Sequence, residues 1–184
     1  MSVHSDPNDG AAVSARIERR WAALVTTLIA ILVYTGLHWA MMPPSRVETA
    51  DPRTLHIAGE FIESNLGTAT EADGSVTVRL LAQQYSFTPQ CLLLPADTPI
   101  TFRATSADAV HGFLIEQTNI NTMLVPGYVS TFKSTFEAPG EHAMPCHEFC
   151  GIGHQGMWAK VKVIAKAEFE KLKSDSGRLS CVDQ

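Results

Sequence analysis

Positive charge is the scarcer sign in this chain: 14 Lys and Arg stand against 19 Asp and Glu, a formal net charge of −5. A surface that neutralises phosphates needs an excess of basic side chains, so no nucleic-acid partner is expected. The sequence also lacks a nucleophile elbow, a phosphate-binding glycine loop and a dinucleotide fingerprint, which removes the common hydrolytic and nucleotide-dependent chemistries. It has no internal repeat and no low-complexity run. Formal charge is missing altogether from residues 21–42. Cysteine is sparse, with four residues in 184, and two of them fall four positions apart.

The uncharged run is long enough to matter. An α-helix of ~20 apolar residues spans a bilayer, and residues 21–42 meet that length, with Trp21 and Trp39 near the two ends and Pro43-Pro44 as the stop. Aromatic rings favour the membrane–water interface. The run exceeds the ~7–15 residues of a signal-peptide core, and Trp39-Ala40-Met41-Met42 is a poor cleavage site, so it reads as a retained anchor. Arg16, Arg19 and Arg20 precede it. By the positive-inside rule they place residues 1–20, a polar and poorly ordered tail, in the cytoplasm. Everything after the anchor then lies outside, in a periplasm or its equivalent.

Residues 43–75 read as a connector. A short amphipathic helix is expected from Ile57, Phe61 and Ile62, closed by Leu66-Gly67, and a polar turn from Thr68 to Ser75. From residue 76 to 164 the pattern changes to short alternating runs bounded by Pro and Gly, such as Val76-Thr77-Val78-Arg79-Leu80 and Ile100-Thr101-Phe102-Arg103-Ala104. Trp158-Ala159-Lys160-Val161-Lys162-Val163-Ile164 ends the series. Strands at this spacing predict a sandwich or a Greek-key barrel. Residues 165–184 form a charged tail that begins helically and ends loosely.

The chemistry is concentrated in Cys146, Cys150, His154 and Met157. Thiolate, imidazole and thioether are soft or borderline donors that favour copper over magnesium or calcium. Zinc sites do not ask for methionine, and a mononuclear blue-copper site needs one cysteine only. A second cysteine suggests two metals sharing both sulfurs. The run resembles the binuclear copper loop, CuA, of cytochrome c oxidase subunit II. That pattern, Cys-x-Glu-x-Cys-x3-His-x2-Met, fits Cys146, Glu148, Cys150, His154 and Met157 without a gap, and Val110-His111-Gly112-Phe113 offers the distant histidine it needs.

The resemblance implies a mainly β protein, with a single N-terminal transmembrane helix followed by a cupredoxin-like Greek-key β-barrel. It implies that Cys146 and Cys150 bridge two coppers, that His111 and Met157 complete one, and that His154 and the Glu148 carbonyl complete the other. The Glu148 carboxylate is a candidate for a magnesium ion at the junction with subunit I. The expected partners are a haem-bearing subunit I, cytochrome c or another soluble electron donor, a small single-helix subunit and the membrane, in a bacterial or archaeal plasma membrane. One helix before the barrel, with the Val-His-Gly-Phe and Asn-Ile-Asn segments, looks closer to the B-type, ba-like branch of haem–copper oxidases. Electrons would arrive here and pass to haem in subunit I, where oxygen is reduced and protons are moved. The competing readings are the CuA subunit of a nitric oxide reductase and a membrane-anchored copper carrier or assembly factor. A quinol oxidase subunit is disfavoured by the copper ligands.

Other residues carry weaker signals. Tyr85 and Phe87 stand where the family places its electron-accepting aromatic residue, but the mitochondrial tryptophans are absent, and simple packing is the alternative. Twelve acids against five basic residues between 43 and 159 suggest a basic donor, since opposite charge raises the encounter rate. His147 and His142 read as surface residues, Met144 and Met123 as core fillers, and Trp158 as barrel packing. Cys91 and Cys181 lie in a compartment that permits a disulfide. Their spacing does not demand one, and an inert core thiol at Cys91 is the alternative.

Overall fold

The computed structural model describes residues 7–38, 47–172 and 177–181. Two compact units divide the chain, residues 1–46 and 47–184.

The first unit is a helix, α1 (Pro7–His38), long and apolar enough to cross a membrane. It starts earlier than the uncharged run, inside the segment read as a poorly ordered tail. Ala11, Ala12 and Ala15 have the highest helix propensity, and the polar turns support themselves locally, Ser14 Oγ donating to Glu18 at 3.2 Å and Arg16 Nε to the Ala12 carbonyl at 3.2 Å. The expected exit at Trp39 and the stop at Pro43-Pro44 lie outside the described residues.

The second unit is built on two packed sheets. The first contains β1 (Gly67–Thr70), β2 (Val76–Gln83), β3 (Ser86–Thr88), β5 (Ile100–Ser106) and β8 (Ser130–Ser134), in the order β1-β2-β5-β8 with β3 on β2. The second contains β4 (Cys91–Pro95), β9 (Gly140–Pro145) and β10 (Trp158–Ile164), in the order β4-β10-β9. A hairpin of β6 (His111–Leu114) and β7 (Asn121–Leu124) completes the set. The β2–β5 and β4–β10 pairs are parallel, so the chain crosses between sheets as a Greek-key sandwich does. Among the described residues the strands do not close into a ring, so the expected barrel is an open sandwich.

Period-two alternation explains the core. Val76, Val78, Leu80 and Ala82 of β2 share one buried cluster with Ile100, Phe102 and Ala104 of β5 and Ala159, Val161 and Val163 of β10. The same alternation corrects Trp158. With Ala159, Val161 and Val163 inward it must face outward, and it is 54 % exposed. Met123 also lies at the surface, whereas Met144 is fully buried as expected. Every residue of β4 is buried, because helix α2 (Lys166–Leu172) covers its outer face through Phe169 on Leu93 and Ile164.

The connector differs from its expectation. Residues 51–61 form successive turns, followed by a single 3-10 turn at Glu63–Asn65. Leu55 and Phe61 pack on Leu81, while Ile57 is exposed. Arg79 and Arg103 explain why this segment lies on the sheet. They are register partners on adjacent strands, and like charges so placed repel. Glu60 answers both, and Glu71 holds Arg79 at 2.8 Å. Instead of a polar turn, residues 67–70 form strand β1.

Of the tail read as ending loosely, residues 177–181 are tied down. Thr68 and Leu179 exchange backbone hydrogen bonds at 2.8 and 2.7 Å, Arg178 donates to Asn65 Oδ1 at 2.6 Å, and Cys181 is disulfide-bonded to Cys91. The reading of Cys91 as a free thiol is therefore corrected. Ninety residues of sequence separate the two sulfurs, and their meeting depends on the tail returning to β1 and β4.

Candidate metal centre

Strands β9 and β10 pair antiparallel up to Pro145 and Trp158, so residues 146–157 must form the loop between them. Its neck is closed by Cys146 N–H donating to the Met157 carbonyl at 3.0 Å. This pairing brings the first and last donors of the loop together. Inside it, a 3-10 turn at His154–Gly156 folds His154 back toward Cys150. Gly151 has φ +135°, a conformation that favours glycine, and a Cβ there would lie 2.5 Å from Tyr85 Oη.

The distant histidine arrives on β6. Glu116 N–H donates to the Ala143 carbonyl at 3.0 Å, fastening this hairpin to β9. His111, the first residue of β6, then meets Cys146. The close approach requires Gly112, where a Cβ would lie 2.6 Å from the Glu148 backbone nitrogen and 2.6 Å from His147 Nδ1.

The sequence-predicted donors converge. Cys146 and Cys150 Sγ are 3.9 Å apart. His111 Nδ1 is 3.8 Å from Cys146 Sγ, and His154 Nδ1 is 3.7 Å from Cys150 Sγ. Met157 Sδ is 3.7 Å from Cys150 Sγ, and the Glu148 carbonyl oxygen is 3.3 Å from Cys146 Sγ. His111, Cys146 and Cys150 form a buried cluster with metal-binding geometry, and Met157 is buried beside them. Burial pushes the Cys150 thiol up to about 11, with the charge and hydrogen bonding of Cys146 adding to it. A soft cation between the sulfurs reverses that preference, because a coordinated thiol is deprotonated outright. Six donors of sulfur, imidazole and carbonyl type fit copper.

Sequence reasoning did not find the supports. Asp108 Oδ1 lies 2.9 Å from His111 Nε2. Burial works to raise this carboxyl, but hydrogen bonds from Gln84 N–H, His111 and Ala109 N–H outweigh it and leave it below the usual carboxylate range. Phe149 meets the His154 ring edge-on with centroids 5.8 Å apart. Phe149 and Ile152 are 75 % and 90 % exposed. Of the two aromatic residues singled out earlier, Phe87 is wholly buried, in edge contact with Phe113, and cannot meet a donor. Tyr85 is half-exposed and lies over Gly151 and Gly153. His147 is at the surface above Gly112, and His142 Nδ1 contacts the Glu116 carbonyl at 2.9 Å.

A cupredoxin-like domain with a buried His/Cys/Cys cluster, preceded by a helix able to cross a membrane, defines a class: membrane-anchored copper-binding proteins. Known proteins narrow it. The family model described as cytochrome c oxidase subunit II, periplasmic domain, matches residues 73–164. A cytochrome c oxidase subunit 2 from Thermus thermophilus is 34 % identical over 152 residues, covering 79 % of this chain and 90 % of its own. A second Thermus thermophilus sequence of that name is 35 % identical over 123 residues, 67 % of this chain and 91 % of its own. A cryo-EM structure of a heme-copper terminal oxidase dimer has a chain that superposes with a TM-score of 0.58 at 26 % identity, covering 83 % of this chain and 99 % of that one. The chain belongs to the cytochrome c oxidase subunit II family. Membership makes it part of an oxidoreductase complex and implies association with subunit I.

Proposed function

We propose that this chain is the electron-receiving subunit of a haem–copper terminal oxidase, holding a binuclear CuA centre on the outer side of the membrane. One observation carries the reading: the two histidines flank different sulfurs of a single cysteine pair. A mononuclear site has no use for that symmetry. When bound, a copper pair bridged by two thiolates takes up and releases one electron shared between the metals.

The side chains supply what such a step needs. Cys146 and Cys150 would hold both metals, His111 with Met157 would complete one, and His154 with the Glu148 carbonyl would complete the other, as the family resemblance implies. The strand-paired neck and the 3-10 turn hold these donors fixed, and a preorganised ligand set lowers the rearrangement accompanying electron transfer. Burial of His111, Cys146, Cys150 and Met157 keeps water out. The proposed centre would supply one-electron transfer toward haem in subunit I, where oxygen would be reduced with proton translocation. The Glu148 side chain is a candidate magnesium ligand at that junction.

The donor is a soluble cytochrome c or a similar small redox protein. Phe149 and Ile152 offer it an apolar landing area beside His154. Glu48, Glu60 and Glu71 are held by Arg103, Arg79 and Arg178, so these three acids contribute less to steering than the formal count implies. The Arg16, Arg19 and Arg20 cluster supports a cytoplasmic N-terminus.

The test is electron paramagnetic resonance of the copper-loaded full chain in detergent. A multiline spectrum of a mixed-valence pair is expected. A mononuclear or exchangeable Cu(I) site would instead indicate a copper carrier. Assay of the complex with oxygen and with nitric oxide separates an oxidase from a nitric oxide reductase.

A further inference from the structure

Two residues that are not ligands join the ligand-bearing segments. Asp108 Oδ1 lies 2.9 Å from His111 Nε2 and accepts the Ala109 N–H at 2.6 Å, while Oδ2 accepts the backbone N–H of Gln84 at 2.7 Å. With His111 Nδ1 directed at the sulfurs, Nε2 carries the proton and donates to Asp108. Gln84 reaches the other way: its side-chain amide donates to the carbonyl oxygen of Cys150. A ring of contacts therefore runs from Cys146 to His111, Asp108, Gln84 and Cys150, and closes across the 3.9 Å sulfur pair. It links the turn after β2, the loop before β6 and the metal loop, none of them adjacent in sequence.

We propose that Gln84 is a positioning residue of the metal centre: anchored by its own backbone to Asp108, it holds the Cys150 peptide, and through it the bridging sulfur, in register with His111. This deepens the binuclear reading and rests on it. Gln84 is exposed, so the side chain contributes little to the buried core. Its neighbour Tyr85 lies on Gly151 and Gly153, where a Cβ would meet the hydroxyl or the ring at 2.5 Å. The turn is thus held against the loop independently, and loss of the Gln84 amide can be read by itself. A single partly buried hydrogen bond contributes little to folding as a whole. Partners that orient ligands typically change metal affinity by ~10–100-fold. The N–H end of the amide dipole also points toward the peptide that carries a bridging thiolate, which favours the more negative, reduced centre.

The experiment uses the full chain in detergent, loaded with copper. Gln84→Met keeps the length and removes the donor; Gln84→Lys supplies a donor again. Gln84→Met is expected to lose copper to a chelator ~10-fold faster than the parent, with shifted visible bands, altered copper hyperfine splitting and a lower midpoint potential. The unfolding midpoint of its copper-free form should match the parent, and Gln84→Lys should restore retention. A Gln84→Met protein with the parent's spectrum, potential and retention overturns the proposal. So does faster loss that tracks a lowered unfolding midpoint and is not recovered by Gln84→Lys. A parent lacking the paired-copper spectrum defeats the binuclear reading instead, and that result is seen before any variant is compared.

Discussion

Gly112 has no room for a side chain. Its neighbours across the interface are a backbone nitrogen of the metal loop and the His147 ring, and a peptide cannot step aside as the end of a flexible side chain can. Gly112→Ala is expected to push residues 147–148 away from β6, costing about 1–3 kcal/mol as overpacking does and separating His111 from Cys146. Denaturant unfolding would read the first effect, and the copper absorption bands the second. The six proposed donors were legible in the sequence because five belong to one loop, where spacing along the chain is nearly spacing in space. The His111 match came from the local Val-His-Gly-Phe pattern. Asp108, Gln84 and Phe149 were not legible. Their types are common, and each acquires a role only by what lies opposite it after folding. Phe87 shows the converse: the aromatic segment was noticed, but Phe87 belongs to β3 and faces the core, whereas Tyr85 lies in the turn before that strand, outside its alternation, and is half-exposed.

At the scale of elements, the β9–loop–β10 unit acts as the frame of the centre, since its strand pairing sets the distance between Cys146 and Met157. Its alternation was plain in the residues of β10, and so was helix α2 in the charged tail. The return of residues 177–181 was not plain, because it depends on β1, a strand in a segment whose polar residues read as a turn. The Cys91–Cys181 bridge seals that return. Cys181→Ser should lower stability by about 2–4 kcal/mol, measured by thermal unfolding without and with reductant. Reductant should destabilise the parent and leave the variant unchanged. The copper spectrum of Cys181→Ser should match the parent, as β4 and residues 177–181 hold none of the six donors.

Across the whole molecule, charge and apolar exposure make different predictions for the meeting with a donor. Long-range attraction between exposed charges fades beyond ~10 Å at 0.1 M salt, whereas an apolar contact does not. The second-order rate of reduction by a basic cytochrome should therefore fall as salt rises but level off, and Ile152→Ser should lower it at every ionic strength, as stopped-flow mixing would show. An unchanged rate in Ile152→Ser would place the landing area elsewhere. By itself the sequence determined the uncharged anchor-length run, the β character of residues 76–164 and the Cys-x3-Cys-x3-His-x2-Met spacing of the proposed donors, because length, period and spacing are local properties of a chain. Tertiary structure alone decided that the sheets stay open, that the tail is stapled back, and that Gln84 and Asp108 tie the two halves of the centre together. Those outcomes depend on which distant surfaces meet, and no local pattern encodes that.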